Sequence, residues 1–504
     1  MKTNGRIRTI ITQDAEIDDQ NSLRHFLLYA NEMDLQGIVQ TSSIFHWKGV
    51  EGAATPAPKE NSSFPNNEVH PYDKPYRWTG TDWMFRVIDD YAKVYPSLLN
   101  QDGNYPSPDE LTELVKIGNI GYPGEVLSST EGSELIRKTI LDSDERTLYL
   151  QVWGGTNTIA RALMDIENAN KGNPNWETLH DAISRKVVLT ACGEQDNTYR
   201  NYIAEEWPDI QYVNCMQMGS YAYAWGGMPE GESKDTLRGD FMKKEILTGH
   251  GALMDGYAVW ADGKYYEGET NDNQFGTNPS LLTKEGFWGT RFGIGPYAPY
   301  DFLSEGDSPT YFLLLDSGFR TLENFSYGGL SGRYLKDEQE VNSKGEHLNY
   351  WKVQQDMYVD WNGQSAKTES MWPYVADIQR DFAARASWCV ASSIDEVEYA
   401  PRLTVEENLD LSAKPGETIV LHATAKALTC EEKAIDISFH IYDDASSVKG
   451  STILTKSKET NTAEGNVTIP DTAKEGEQLH VIVKAQNTYG HRLTHYQQII
   501  ITIQ

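Results

Sequence analysis

The sequence is short of cysteine, of basic charge and of long apolar runs. Its 504 residues include four cysteines, Cys192, Cys215, Cys389 and Cys430. No two stand in a CxxC pair, so no zinc or redox motif is encoded, and the spacing gives no disulfide framework. No run of about 18 apolar residues occurs, which excludes a membrane-spanning helix. The opening "MKTNGRIRTI" lacks the apolar core of a signal peptide, leaving either a cytosolic protein or a mature form behind a start methionine. Lysine and arginine total 44 against 74 aspartate and glutamate, a formal net charge of −30. That balance argues against nucleic acid and anionic membrane surfaces as partners, and suits cations and neutral ligands such as sugars.

What is present is a large core and a regular alternation. Apolar residues make up 39% and charged residues 23%, enough to bury a substantial interior, and the length suits two to three domains. The 28 tyrosines and 13 tryptophans can stack on sugar rings, but most are expected in the core. Apolar strand-like runs at 8–12, 35–43, 146–155, 186–193 and 210–216 alternate with helix-like runs at 19–30 and 157–166. This order predicts an α/β fold, a mostly parallel sheet flanked by helices, with ligands beyond the carboxyl ends of the strands. Residues 42–76 read as a long surface loop and 249–306 as a second poorly periodic stretch. Loops of that length in a compact domain are commonly functional. Residues 375–390 read as the last helix. Beyond about Tyr399, alternating runs between turn residues predict an all-β, immunoglobulin-like sandwich. The expected division is an α/β domain at 1–400 and an accessory sandwich at 401–504.

The chemistry concentrates in "IITQDAEIDDQNSL", where Asp14, Asp18 and Asp19 crowd a strand-to-helix turn. One aspartate there is ordinary helix capping. Three within six residues repel one another, and a cation or sugar hydroxyls would relieve them. Clustered carboxylate oxygens select hard cations, Ca²⁺ or Mg²⁺. The spacing is not that of an EF-hand, so further ligands must come from elsewhere.

This stretch resembles the DxDPGxDD turn of the nucleoside hydrolase superfamily. "GGTNTIA" resembles its glycine-rich strand end, "EGDSPTYFLLLDSGF" its late helix start, and "YRNYIAEEWPD" its EFNxxxDPEA segment. With the terminal sandwich, and through "TSSIFHWKG" and "DFAARASWCV", the chain is most similar to the cellulose-binding, nucleoside hydrolase-like group, whose members are commonly secreted. The resemblance implies Ca²⁺ held by Asp14, Asp19, the Asn157 carbonyl and Asp307. It also implies a metal-bound water activated by Asp14, and sugar contacts at Asp18 and Asn201. Candidates to protonate a leaving group are His46, His250, Glu194 and Glu305. His46 leads because it follows the second strand; Trp47 beside it could stack on a sugar, and Glu305 adjoins Asp307. Two departures weaken base recognition: Ser43 and Ile44 stand where the family carries Gly-Asn, and Gly306 stands where it carries a histidine. The expectation is a Ca²⁺-dependent glycoside or N-riboside hydrolase acting on a carbohydrate or ribosyl-type small molecule other than an ordinary nucleoside. It would be secreted or periplasmic and could self-associate. The alternative is a carbohydrate-binding protein that keeps the metal site without turnover.

Overall fold

The computed structural model describes residues 5–55, 70–266, 268, 278–279, 296–359, 365–429 and 434–504. The first strands are β1 (Ile7–Gln13), β2 (Met33–Gln40), β3 (Val115–Ile117), β4 (Leu148–Val152), β5 (Val187–Ala191) and β6 (Gln211–Asn214). With β7 (Tyr334–Lys336) and β8 (Tyr350–Val353) they form one eight-stranded sheet, ordered β3-β2-β1-β4-β5-β6-β8-β7. Every pairing is parallel except β7 with β8.

Helices cover both faces, which is why the strands are apolar without alternation. On one face Ile10, Leu150, Val152 and Leu189 pack with Ile136 of α2 (Glu131–Ile140) and Ile159 of α3 (Asn157–Asn170). On the other, Ile11, Ile38 and Val188 lie in one core with Leu23 and Phe26 of α1 (Ile17–Leu27) and with the helix Val375–Trp388. The expected strands and helices stand where the sequence places them, within a few residues at their ends.

The stretch 42–76 is a surface loop only in part. Ser42, Ser43, His46 and Trp47 are buried, and Trp47 bridges Tyr76 in antiparallel fashion. Residues 56–69 of that stretch, most of 267–295 in the second, and Cys430 lie outside the described residues. The other three cysteines are buried and unpaired.

A separate hairpin joins β9 (Gln355–Val359) and β10 (Ser365–Glu369). The sandwich follows. One sheet has the order β11 (Arg402–Val405), β13 (Thr418–Lys426), β16 (Thr462–Thr468), β15 (Thr452–Glu459). The other runs β12 (Asp410–Ala413), β18 (Thr494–Ile503), β17 (Gln478–Asn487), β14 (Ile435–Ile441). Leu421, Val467, Phe439, Val481 and Ile501 fill the space between them, and this core is separate from the two that flank the large sheet.

Candidate functional site

The register of the central strands decides what meets at the sheet's carboxyl edge. Gln13 of β1 faces Gln40 of β2, and Thr12 faces Val152 of β4. The next residues, Asp14, Thr41 and Trp153, therefore come together, and a Cβ on Gly154 would stand 2.9 Å from that of Asp14. The chain then turns sharply: Ala15 has φ +82°, a left-handed backbone that costs a non-glycine residue about 1–3 kcal/mol and clusters at functional sites. Asp14 N–H donates to Asp19 Oδ1 at 3.0 Å, and Glu16 N–H donates to Asp14 Oδ1 at 3.2 Å. Helix α1 has no side-chain cap, so capping does not account for the aspartates.

Asp307 arrives from far along the chain, just before a short helix, Pro309–Phe312. Carboxylate oxygens of Asp18, Asp19 and Asp307 lie within 4.8 Å of one another, all buried; donor atoms of Asp14, Glu16 and His46 form a second such group. The structure thus brings together Asp14, Asp18, Asp19, Asp307 and His46. His46 Nδ1 lies 3.9 Å from Asp14 Oδ1, and Glu16 is paired with Arg77 at 3.2 Å.

Three buried oxygens in this crevice, Asp14 Oδ2, Asp18 Oδ1 and Asp307 Oδ2, have no hydrogen-bond donor among the described residues. Buried polar atoms are normally paired, so an orphaned set asks for a ligand. All three are hard carboxylate oxygens, which fits Ca²⁺ or Mg²⁺. Burial raises the pKa of Asp18, Asp19 and Asp307 well above the ordinary value, and their mutual repulsion, with Asp14 and Glu16, raises it further. At an effective dielectric near 20, each like-charge pair at such separations costs about 3 kcal/mol.

That repulsion has a measurable consequence. In the folded, metal-free protein the Asp19 carboxyl keeps its proton where the unfolded chain has already released it. The associated stability is complete below the ordinary value of 3.8 and is lost as pH rises through the raised folded value. Asp19→Asn keeps an oxygen to accept the Asp14 N–H. In chelator it is expected to match wild type near the ordinary carboxyl range and to exceed it by about 1–3 kcal/mol at pH 7. Denaturant melts at the two pH values measure the gap, and a variant less stable than wild type at pH 7 would contradict the electrostatic account.

Four other expected residues are engaged or placed elsewhere among the described residues. Asn157 is the first residue of α3, so its carbonyl enters the helix ladder and points away from the helix's N-terminal end. Its side chain donates to Ser42 Oγ and to the carbonyls of Asn119 and Glu125. The Trp47 ring is 1% exposed, donates to the Lys74 carbonyl and packs on Tyr76, leaving no face for a sugar. Asn201 is exposed on a π-helical turn, Tyr199–Ile203, and no bond joins it to the carboxylates among the described residues. Glu305 is sealed in the core, where it accepts hydrogen bonds from His25, Tyr257 and Ser308. Of the other acid candidates, Glu194 is committed to Arg200 and Tyr350. His250 donates to the Ile246 carbonyl.

Sequence reading missed Cys192, which weighing cysteines by their pair spacing passes over. It follows β5 at the same sheet edge, with its thiol beside Asp307. Burial and the nearby Asp307, Asp18 and Asp19 hold that thiol well above its ordinary pKa. The signal available was position: ligands gather where parallel strands end. Gly306 now has a spatial reason as well, since a Cβ there would stand 3.0 Å from Asp18 Oδ2 and 3.5 Å from Cys192 Sγ.

A mostly parallel sheet with an acidic turn after its first strand and a distant aspartate returned to that turn defines a nucleoside hydrolase-like protein. The chain belongs to the family described as cellulose-binding Sde182, nucleoside hydrolase-like domain, which matches residues 8–334. Residues 418–503 match the C-terminal domain of cellulose-binding protein Sde0182. A solved structure from Saccharophagus degradans, a nucleoside hydrolase-related hypothetical protein associated with carbohydrate metabolism, is 22% identical over 99% of this chain and 100% of its own, with a TM-score of 0.65. At that identity the likeness speaks for the fold. A plant nucleoside hydrolase (11% identical, 75% of this chain and 98% of its own, TM-score 0.31) and the type III effector XopQ complexed with adenosine diphosphate ribose (10%, 77% and 95%, TM-score 0.33) are too distant to carry an argument. No curated protein matches the chain. Among the described residues no helix is long and apolar enough to cross a membrane.

Proposed function

We propose that the α/β domain, residues 1–400, is a Ca²⁺-dependent hydrolase of glycosidic bonds acting on a carbohydrate or ribosyl-type molecule, with residues 401–504 as an accessory domain. One observation carries this reading: the orphaned oxygens of Asp14, Asp18 and Asp307 in one buried crevice. Asp18, Asp19 and Asp307 would hold the ion, with Asp14 at its edge. When bound, the ion neutralises the carboxylates and acidifies a neighbouring water. Asp14 has one oxygen fixed by the Glu16 N–H and the other free to accept a proton. The buried carboxylates favour positive charge developing on a sugar ring. His46, beside Asp14, is the remaining candidate to serve the leaving group, because Glu194 and Glu305 are engaged elsewhere. The family's cellulose-binding name supports a saccharide ligand and an extracellular setting. Gly306, with its neighbours already close, argues against an ordinary nucleoside.

A second reading, a carbohydrate binder without turnover, is favoured by Gly306 standing in place of a histidine before Asp307 and by the appended sandwich, which matches the C-terminal domain of a cellulose-binding protein. Calorimetry with CaCl₂, followed by a panel of aryl glycosides and ribosides, separates the two. Heat of binding with Ca²⁺-dependent release is expected. Saccharide binding without release would support the binder, and no heat with Ca²⁺ would overturn both.

A further inference from the structure

Helix α1 carries a polar stripe behind its two aspartates. Asp18, Asn21 and His25 recur at three- and four-residue spacing, which puts them on one helix face, and all three reach the segment that bears Asp307. Asp18 Oδ2 accepts from Ser304 Oγ at 3.2 Å. Asn21 Nδ2 donates to the carbonyls of Ala258 at 3.0 Å and Ser304 at 3.2 Å, while its Oδ1 accepts the Ala258 N–H at 2.7 Å. His25 Nδ1 donates to Glu305 Oε2 at 2.8 Å, and both side chains are fully buried. Glu305 also accepts the hydroxyls of Tyr257 and Ser308, and its N–H donates to the Tyr221 carbonyl at 3.0 Å. Residues on both sides of Asp307 are therefore tied down. The His25 ring is itself stacked on Phe382, centroids 3.7 Å apart, so the imidazole has no room to swing away.

We propose that His25, acting through Glu305, is a positioning residue for the cation site. This inference rests on the cation reading above. Asp18 and Asp19 sit on α1, whereas Asp307 comes from a segment almost 300 residues later. Their like charges push the two pieces of chain apart. The His25–Glu305 bond opposes that separation one layer behind the carboxylates, without contact to the ion. Residues that support metal ligands in this way typically set affinity by about 10- to 100-fold.

Full-length wild type, His25→Phe and His25→Asn are titrated with CaCl₂ by calorimetry, and their Tm is read in chelator. His25→Phe keeps an aromatic ring against Phe382 but loses the donor, and its Kd for Ca²⁺ is expected to rise about 10- to 100-fold. His25→Asn places an amide N–H near the lost Nδ1 and is expected to recover most of the affinity. Ser308→Ala removes a smaller anchor of Glu305. It gives a milder loss, and a readable one should His25→Phe not fold. A merely structural role would lower Tm in both His25 variants and leave the Kd of the folded protein alone; that result overturns the proposal. If wild type itself takes up no Ca²⁺, the cation reading fails and this inference with it. If wild type binds and His25→Phe and Ser308→Ala bind equally well, only the inference fails.

Discussion

Asp14→Asn is expected to keep its Ca²⁺ and lose turnover by a factor on the order of 10² to 10⁴, whereas Asp307→Asn is expected to lose the ion. The two aspartates share a crevice but differ in their neighbours. Asp307 belongs to the trio of carboxylates whose oxygens lie within 4.8 Å of one another. An amide there removes one charge and one hard oxygen, and a loss of at least about 100-fold in Ca²⁺ affinity follows, the upper end of what a merely supporting residue costs. Asp14 is grouped instead with Glu16 and His46. Its Oδ1 accepts the Glu16 N–H, and an asparagine can preserve that bond. What asparagine cannot do is accept a proton at the second position, the Oδ2 that has no donor among the described residues. Calorimetry and hydrolysis of the best substrate from the glycoside and riboside panel, run side by side on both variants, test the division of labour. Undiminished hydrolysis by Asp14→Asn would remove it as the base, and wild-type Ca²⁺ heat from Asp307→Asn would dissolve the proposed ion site.

The sequence makes the sheet legible for a simple reason: buried parallel strands must be continuous apolar runs, and "RTLYLQV" and "KVVLTA" could be little else. The acidic turn is legible because like charges at four- and five-residue spacing have no bland explanation strong enough to tolerate them. Asp307 becomes legible only through the family pattern, since nothing local in "EGDSPTYF" reveals that it returns to β1. Side-chain direction was not legible. Trp47 follows a strand end, as a sugar platform would, yet the chain folds back at Tyr76 and encloses its ring. Glu305 adjoins Asp307 but points the other way, to His25. Asn201 turns outward because a π-helical turn carries it, a geometry that residue spacing does not disclose. Cys192 shows the converse, a residue whose type suggested little and whose place at a strand end decides its surroundings.

Gly318→Ala is expected to destabilise the protein by about 2–5 kcal/mol, the sum of left-handed strain and overpacking. Gly318 has φ +85°, and a Cβ there would stand 1.8 Å from the Tyr496 carbonyl oxygen. The close approach is how the sandwich attaches. The Tyr496 and Gln498 N–H groups of β18 each donate at 3.1 Å, to the Ser317 and Gly318 carbonyls, and the Arg320 N–H donates to Gln498 Oε1 at 2.9 Å. Asp377, on the last helix of the α/β domain, draws in Lys484 and the Tyr496 hydroxyl beside this strap. An added methyl must push β18 off the strap, leaving backbone donors without acceptors and taking the Tyr496 hydroxyl from the buried Asp377 carboxylate. The consequence for the site is a different matter. The Asp307 turn is fastened upstream, by Asn21 and His25 of α1, whereas Gly318 lies beyond the short helix that follows it. Ca²⁺ affinity at 25 °C is therefore expected to hold while Tm falls. Calorimetric melting with a parallel Ca²⁺ titration reads both: an unchanged Tm would refute the strap, and a loss of Ca²⁺ affinity matching the loss of stability would show that the sandwich helps to place Asp307.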